Sequence, residues 1–442
     1  MAHASVAALT GSLARAQPLP VLSDTVPPRV GPGPLPTGKP WGASLDLSFM
    51  NPGTLDPRIT FSRASTATYF DVTGTMQTAT SGTPRWDYNP TTHVLNGLLI
   101  EEARTNYMLQ STMGTGWTLG GSSSTPNAAL APDGTNTATL VTENTASSGH
   151  YISENASVAV NAPVTASVRV LNNTRRYCVF ALYDNTTPAN VVQLSVDLTT
   201  GAAGPFSVFG AATAASYSVT NIGGGWFRLT ITATLSAAAT TGIIHRVFLS
   251  NTPGNTSYTG DGVSSLYVWG AQAEVGAFST SYIPTAAATV TRSADLASMP
   301  TGAWFNATNG TYQAEAIPNG AAATLPVIIS GNAGSPVIAA GADSKLVASI
   351  RSGAAVFSAT GPAFAFGAVN KAAFAYLSGA STAAVNGTTI GPSATALSVT
   401  GTTVEFGSDG ITPGNNALDG WLRRVRYWPR ILTNAELRSV TT

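Results

Sequence analysis

The chain has 442 residues, enough for two or three domains, and only 10% of them are Asp, Glu, Lys or Arg, against roughly 25% in ordinary soluble domains. The formal net charge is zero, which excludes a global basic field for nucleic acid and an acidic tail. Lys39, Lys345 and Lys371 are the only lysines, so the positive charge is mostly arginine. Its planar, paired hydrogen bonding suits packed subunit interfaces. A surface poor in charge and rich in Thr, Ser and Asn suits an assembled β-protein, because a free monomer of this composition tends to associate.

From Met1 to Gln17 the apolar character is broken by His3, Ser5, Thr10, Gly11 and Ser12. Neither a membrane span nor a secretory signal is expected there. Pro18 to Pro40 reads PLPVLSDTVPPRVGPGPLPTGKP. Proline fixes φ and removes backbone donors, so this stretch is predicted to be extended and unable to enter a sheet. Residues 1–40 are expected to form an anchoring arm, with Pro27, Pro28, Arg29 and the adjoining Trp41 as docking residues.

A small β module is expected over 41–110. Leu45-Asp46-Leu47-Ser48-Phe49 alternates as a half-buried strand does. Asn96-Gly97 is a turn signal before the short apolar strand Leu98-Leu99-Ile100. Over 111–290 short strands recur at regular spacing: Ala138 to Val141, Val164 to Val170, Tyr177 to Tyr183, Val191 to Leu198, Trp226 to Ile231, Ile243 to Leu249 and Ser265 to Trp269. Turn residues separate them and no helical period intervenes, the pattern of a β-sandwich. The one cysteine, Cys178, stands in such a strand and reads as a small buried apolar residue. Its solitude fits assembly in a reducing compartment.

Residues 291–442 repeat the theme. Asn386-Gly387 marks a hairpin. Thr433 followed by Glu436 is a capping box that starts one short helix. Trp421, Tyr427 and Trp428 are expected to pack beneath that helix. The Arg423-Arg424-Arg426 cluster reads as a solvated strand face, with an acidic glycan or a neighbouring subunit as the other reading. The predicted class is all-β: an extended N-terminal arm, a small β module and two antiparallel β-sandwich (jelly-roll) domains.

Three sets of words resemble known families. The stretch Ile59 to Ser111, ITFSRASTATYFDVTGTMQTATSGTPRWDYNPTTHVLNGLLIEEARTNYMLQS, resembles a module of structural and fibre proteins of tailed bacteriophages. Ala131-Pro132-Asp133-Gly134-Thr135, Gly225-Trp226-Phe227-Arg228, Trp269-Gly270-Ala271-Gln272-Ala273-Glu274 and Thr280-Ser281-Tyr282-Ile283-Pro284-Thr285 resemble a phage jelly roll related to carbohydrate-binding modules. Leu418-Asp419-Gly420-Trp421 through Pro429-Arg430 and the final helix are similar to concanavalin A-like (laminin-G-type) lectin domains. The resemblance implies a virion protein of the tail-fibre, head-fibre or neck-appendage type, assembled in the bacterial cytoplasm. Its partners would be other phage virion proteins (portal, neck, tail or capsid) and a host-surface glycan, and a fibre of this type would be a homotrimer.

No catalytic residue, cofactor or metal site is expected. Glu101-Glu102 is the only adjacent acidic pair. Neighbouring strand residues face opposite sides, so these cannot serve one glycosidic bond, and Arg104 is their obvious ionic partner. His3, His93, His150 and His245 show no zinc-type spacing. Asp184, Asp261 and Asp419 lie in no Asp-rich calcium loop. Gly223-Gly224-Gly225 lacks the Lys-Ser/Thr of a phosphate loop and reads as a tight turn. Sugar binding needs flat aromatic faces beside polar groups. The candidates are Tyr151, Tyr177 and Tyr183 with Arg175 and Asn185, while Trp226 and Trp269 are expected in the core. The other function classes are a purely structural decoration or collar protein and a capsule depolymerase.

Overall fold

The computed structural model describes residues 42–158, 161–237, 241–319, 326–341, 343–351, 353, 355–409 and 416–442. The arm at 1–40 and the docking residues Pro27, Pro28, Arg29 and Trp41 lie outside the described residues. Within them the period-two patterning produces an all-β protein with one helix, Asn434–Thr441.

The central sandwich is built from two six-stranded antiparallel sheets among the described residues. One runs in the order Thr213–Asn221, Trp226–Thr234, Val164–Asn172, Ser265–Val275, Ala138–Glu143 and Ser122–Ala129. The other runs Ala202–Phe209, Val191–Asp197, Tyr177–Asp184, Ile243–Ser250, Tyr151–Ala156 and Thr118–Gly120. Alternate residues of facing strands close the core: Val164, Ala166, Val168 and Val170 meet Cys178, Phe180, Leu182, Val192 and Leu194. Cys178 is buried there, and burial pushes its thiol well above the ordinary range.

The segment 41–110 does not form a separate module. Leu45–Ser48 pairs with Arg424 to Tyr427, and Leu98–Ile100 pairs with Gly420 to Leu422. Thr60–Ser62 pairs with Leu296–Ser298 in the opposite sheet. These strands complete the terminal sandwich, whose core joins Leu45, Leu47, Leu98 and Ile100 to Phe374, Phe406, Val425 and Tyr427. The reason is that strands of three or four residues cannot bury an apolar face alone. Asn96 and Gly97 lie inside the strand Leu95–Ile100 rather than in a turn. Gly97 has φ +142, and a Cβ there would meet the Leu422 carbonyl oxygen at 2.5 Å. The glycine thus serves close approach of two backbones.

The hairpin at Asn386-Gly387 forms with φ of 45 and 79, the left-handed pair that a two-residue turn demands. The capping box of Thr433 and Glu436 is present. Only Trp428 of the three aromatic residues lies beneath the helix, with Leu432, Leu437 and Val440. Tyr427 faces the sandwich core, as the next residue in a strand must. Trp421 is seven positions from Trp428, roughly 23 Å along an extended chain, beyond the helix's reach. A bulge interrupts the pairing at Arg423. The three arginines are paired, Arg423 with Glu315 and Arg424 and Arg426 with Asp46.

The chain leaves the terminal sandwich through Arg104–Asn106 and returns through Val290–Arg292, and these two segments pair with each other. Beside this neck lies a buried ionic seam. Arg63 Nη1 is 2.9 Å from Asp295 Oδ1. Arg85 Nη2 contacts both Asp295 and, at 2.8 Å, Glu101. Arg292 Nη1 lies 2.9 Å from the same Glu101 oxygen. Glu102 pairs with Arg104, as the sequence suggests, while Glu101 engages the two more distant arginines.

Candidate functional site

The outer face of the sheet carrying Tyr177–Asp184 gathers polar and aromatic groups. Cys178, Phe180 and Leu182 point to the core, so Tyr177, Val179, Ala181 and Tyr183 face outward. Val179 and Ala181 form a small apolar floor with Phe248 and Val191, against which Tyr151 and Tyr183 pack. Ile243–Ser250 runs between the strands of the two tyrosines and places Arg246 opposite Ser153 and Ala181.

The Arg246 guanidinium carbon is 4.0 Å from the Tyr151 ring centroid and 5.1 Å from that of Tyr183. Phe248 meets Tyr151 edge-on at 5.3 Å. Gln193 donates to the Tyr183 hydroxyl at 3.4 Å. Tyr151 is seated over Gly120, where a Cβ would come within 2.3 Å of its ring. Arg246 Nε is buried without a partner, and neither the rest of that guanidinium nor the Tyr151 hydroxyl has a hydrogen-bond partner among the described residues. Stacking on two rings holds the guanidinium in place at little further entropic cost. Its donors remain free for hydroxyl or carboxylate oxygens.

Two of the five sequence candidates, Tyr151 and Tyr183, therefore come together, around an arginine that sequence reasoning missed. The signal was present: His245-Arg246 sits inside the apolar run Ile243 to Leu249, where a half-buried strand alternates. The other three lie elsewhere. Tyr177 is six positions from Tyr183, roughly 20 Å along the strand, and stacks with Arg176 at 5.0 Å. Arg175 is bound to Glu143 (3.0 Å) and to Asp261 (3.3 Å). Glu143 also takes the Tyr258 hydroxyl and the Asp261 backbone N–H, so Arg175 is part of a loop fastening. Asn185 stands in the turn after the strand, its backbone N–H donating to the Gly242 carbonyl at 2.9 Å.

Asp184 ends the strand Tyr177–Asp184, and Asp261 and Asp419 lie in separate segments elsewhere. Asp184 accepts from the backbone N–H of Thr186, Asp261 from that of Val263, and Asp419 from that of Glu102. Trp269 is buried, with its ring 4.6 Å from that of Tyr282.

No family model and no curated protein matches the chain. Solved structures of similar outline include domain 4 of AbnA, an extracellular arabinanase from Geobacillus stearothermophilus, in complex with arabinotriose. It is 12% identical, with TM-score 0.28, over 37% of this chain and 82% of that one. A putative carbohydrate binding protein from Bacteroides ovatus is 11% identical, with TM-score 0.25, over 67% and 80%. Domains LG4-5 of the mouse laminin α1 chain are 11% identical, with TM-score 0.20, over 64% and 85%. At such scores these likenesses carry no argument about activity. The sandwich assignment rests on the strand pairing itself.

Proposed function

We propose that the protein is a non-catalytic virion component of a tailed bacteriophage, a tail fibre or a head-fibre or neck appendage, whose central sandwich binds polysaccharide on the host surface. The observation that carries the glycan reading is Arg246 held between Tyr151 and Tyr183 with unpaired donors. The phage reading rests on the resemblance of the words from Ile59 to Ser111 and from Ala131 to Thr285. A depolymerase needs two free carboxylates facing one bond, whereas Glu101 and Asp295 are each bound by two arginines.

On an array of bacterial surface polysaccharides the intact protein should bind a subset. Arg246→Ala or Tyr183→Ala should weaken that binding by about tenfold or more, equivalent to about 1.4 kcal/mol. If the intact protein binds none, the glycan half of the proposal is rejected and a purely structural role stands.

The arm at 1–40 is proposed to dock on portal, neck, tail or capsid proteins, and the subunit to be a homotrimer in the virion. Deleting residues 1–40 should abolish incorporation into particles while sedimentation still reports three chains. Normal incorporation would reject the arm, and a monomer would reject the trimer.

A further inference from the structure

On the sheet of the central sandwich that carries Val164–Asn172, strand pairing puts Arg169 directly opposite Arg228. Like charges opposite each other on one face destabilise a sheet. Here both are also withdrawn from water: Arg169 is 2% exposed and Arg228 is half-buried. Arg169 donates to the Gly270 carbonyl at 2.5 Å and stacks on Tyr282 at 4.8 Å. The Nε atoms of both arginines are buried without a partner, and neither forms an ion pair among the described residues. Burial, with Arg228 beside it, pulls the Arg169 guanidinium down to about 9.

Backbone geometry maintains this arrangement. The neighbouring strand carries a bulge opposite Val168, with Gly270 at φ +66. A Cβ there would lie 2.8 Å from Arg169 Cδ. The glycine lets the arginine stem pass, and bulges commonly re-aim side chains in this way.

A cavity of about 170 Å³ opens against the pair. It is smaller than the roughly 300 Å³ at which drug-sized sites begin, and has room for one ring or its acidic group. A second hollow of about 230 Å³ shares Arg228, Ser279 and the exposed Asn319 with it. The carboxylates nearby are already engaged. Asp87 accepts from the Phe70 N–H at 2.7 Å and from Trp421 Nε1 at 2.8 Å. Glu101 belongs to the seam, and Glu274 takes the N–H and hydroxyl of Thr280.

We propose that this cavity binds the carboxylate of an acidic sugar residue, held by the Arg169–Arg228 pair. Planar guanidinium forks match carboxylate geometry. Tyr69, Tyr88 and Asn96 also line the cavity. Their side chains have no hydrogen-bond partner among the described residues, so they can meet the sugar hydroxyls. The site lies on the sheet opposite the one carrying Arg246 and does not depend on that face.

Calorimetric titration of the full chain with glucuronate should show binding, and glucose at the same concentration should show none. Arg228→Gln should weaken glucuronate binding by about tenfold or more. Equal affinity in Arg228→Gln, or no glucuronate binding by the intact protein, would overturn the site. Inorganic phosphate is the second arm: binding of phosphate without glucuronate overturns the sugar assignment. If Arg228→Gln does not fold, Arg228→Lys keeps the charge and removes the fork, and unchanged affinity in that variant rejects the proposal.

Discussion

Arg85→Met should cost roughly 3–5 kcal/mol of stability, the range for removing one partner of a buried ion pair. Arg85 is fully buried. Burial alone would lower its pKa, but Asp295 and Glu101 more than offset this and hold it above the ordinary value. Its Nη1 donates to the Thr68 carbonyl at 2.8 Å and to the Ser281 hydroxyl at 2.9 Å. Methionine fills similar space but offers no donor, so Asp295 and Glu101 would each keep a single arginine in a dry site. Against the upward push of burial, Arg292 and Arg85 hold Glu101 down at about 2. Removing Arg85 should therefore raise it. Urea unfolding measures the loss, and a cost below about 1 kcal/mol, the worth of an exposed pair, would show that the seam is not what holds this region. Arg85→Met combined with Glu101→Gln should cost less than the sum of the two single changes, because residues sharing one network couple.

The second large effect is on pH dependence and resides in His245. This ring is fully buried, 4.7 Å from Phe180 and 5.5 Å from Trp117, with Nε2 donating to the Ser167 carbonyl at 3.1 Å. Burial lowers its pKa from 6.5 to about 4. Between those values the unfolded chain binds the proton and the folded one does not, so acidification favours unfolding. The contribution is complete above 6.5 and is lost as pH falls toward 4, about 3 kcal/mol in all. Asp87 acts in the opposite direction. Burial raises it from 3.8 to about 6, so the folded state binds the extra proton and gains stability as pH falls through that window. Glu101 exerts its effect lower, between 4.5 and about 2. The clean observable is therefore a difference. The stability gap between the wild type and His245→Phe should be constant above pH 7 and shift by about 3 kcal/mol in favour of the variant by pH 4. A gap that stays flat from 7 to 4 would mean that the ring is not held neutral.

Local structure was largely legible in the sequence. Val164–Asn172 alternates so cleanly that strand and facing are both readable, Tyr177–Asp184 is an apolar run that marks a strand without its facing, and Asn386-Gly387 names its own turn. Pairing across the chain was not legible. Ser44 donates to the Tyr427 carbonyl across 383 positions, and nothing in LDLS says which edge it will meet. The same limit hid both arginine sites. Arg246, Arg169 and Arg228 each read as the polar member of an alternating strand, and only register sets Arg169 against Arg228 or places Arg246 between two tyrosines. Arg175 and Asn185 were chosen by nearness along the chain, which in a sheet says little about nearness in space.

The paired segments Arg104–Asn106 and Val290–Arg292 give the central sandwich the character of a cassette. Everything between them leaves and rejoins the same scaffold through two adjacent strands, so its beginning and end are neighbours. A sandwich of unrelated sequence could be exchanged at those two strands, provided that it supplies partners for Arg85 and Glu101 where Ser281 now stands. Recombination there would replace one sandwich while the strands that complete the other stay in place.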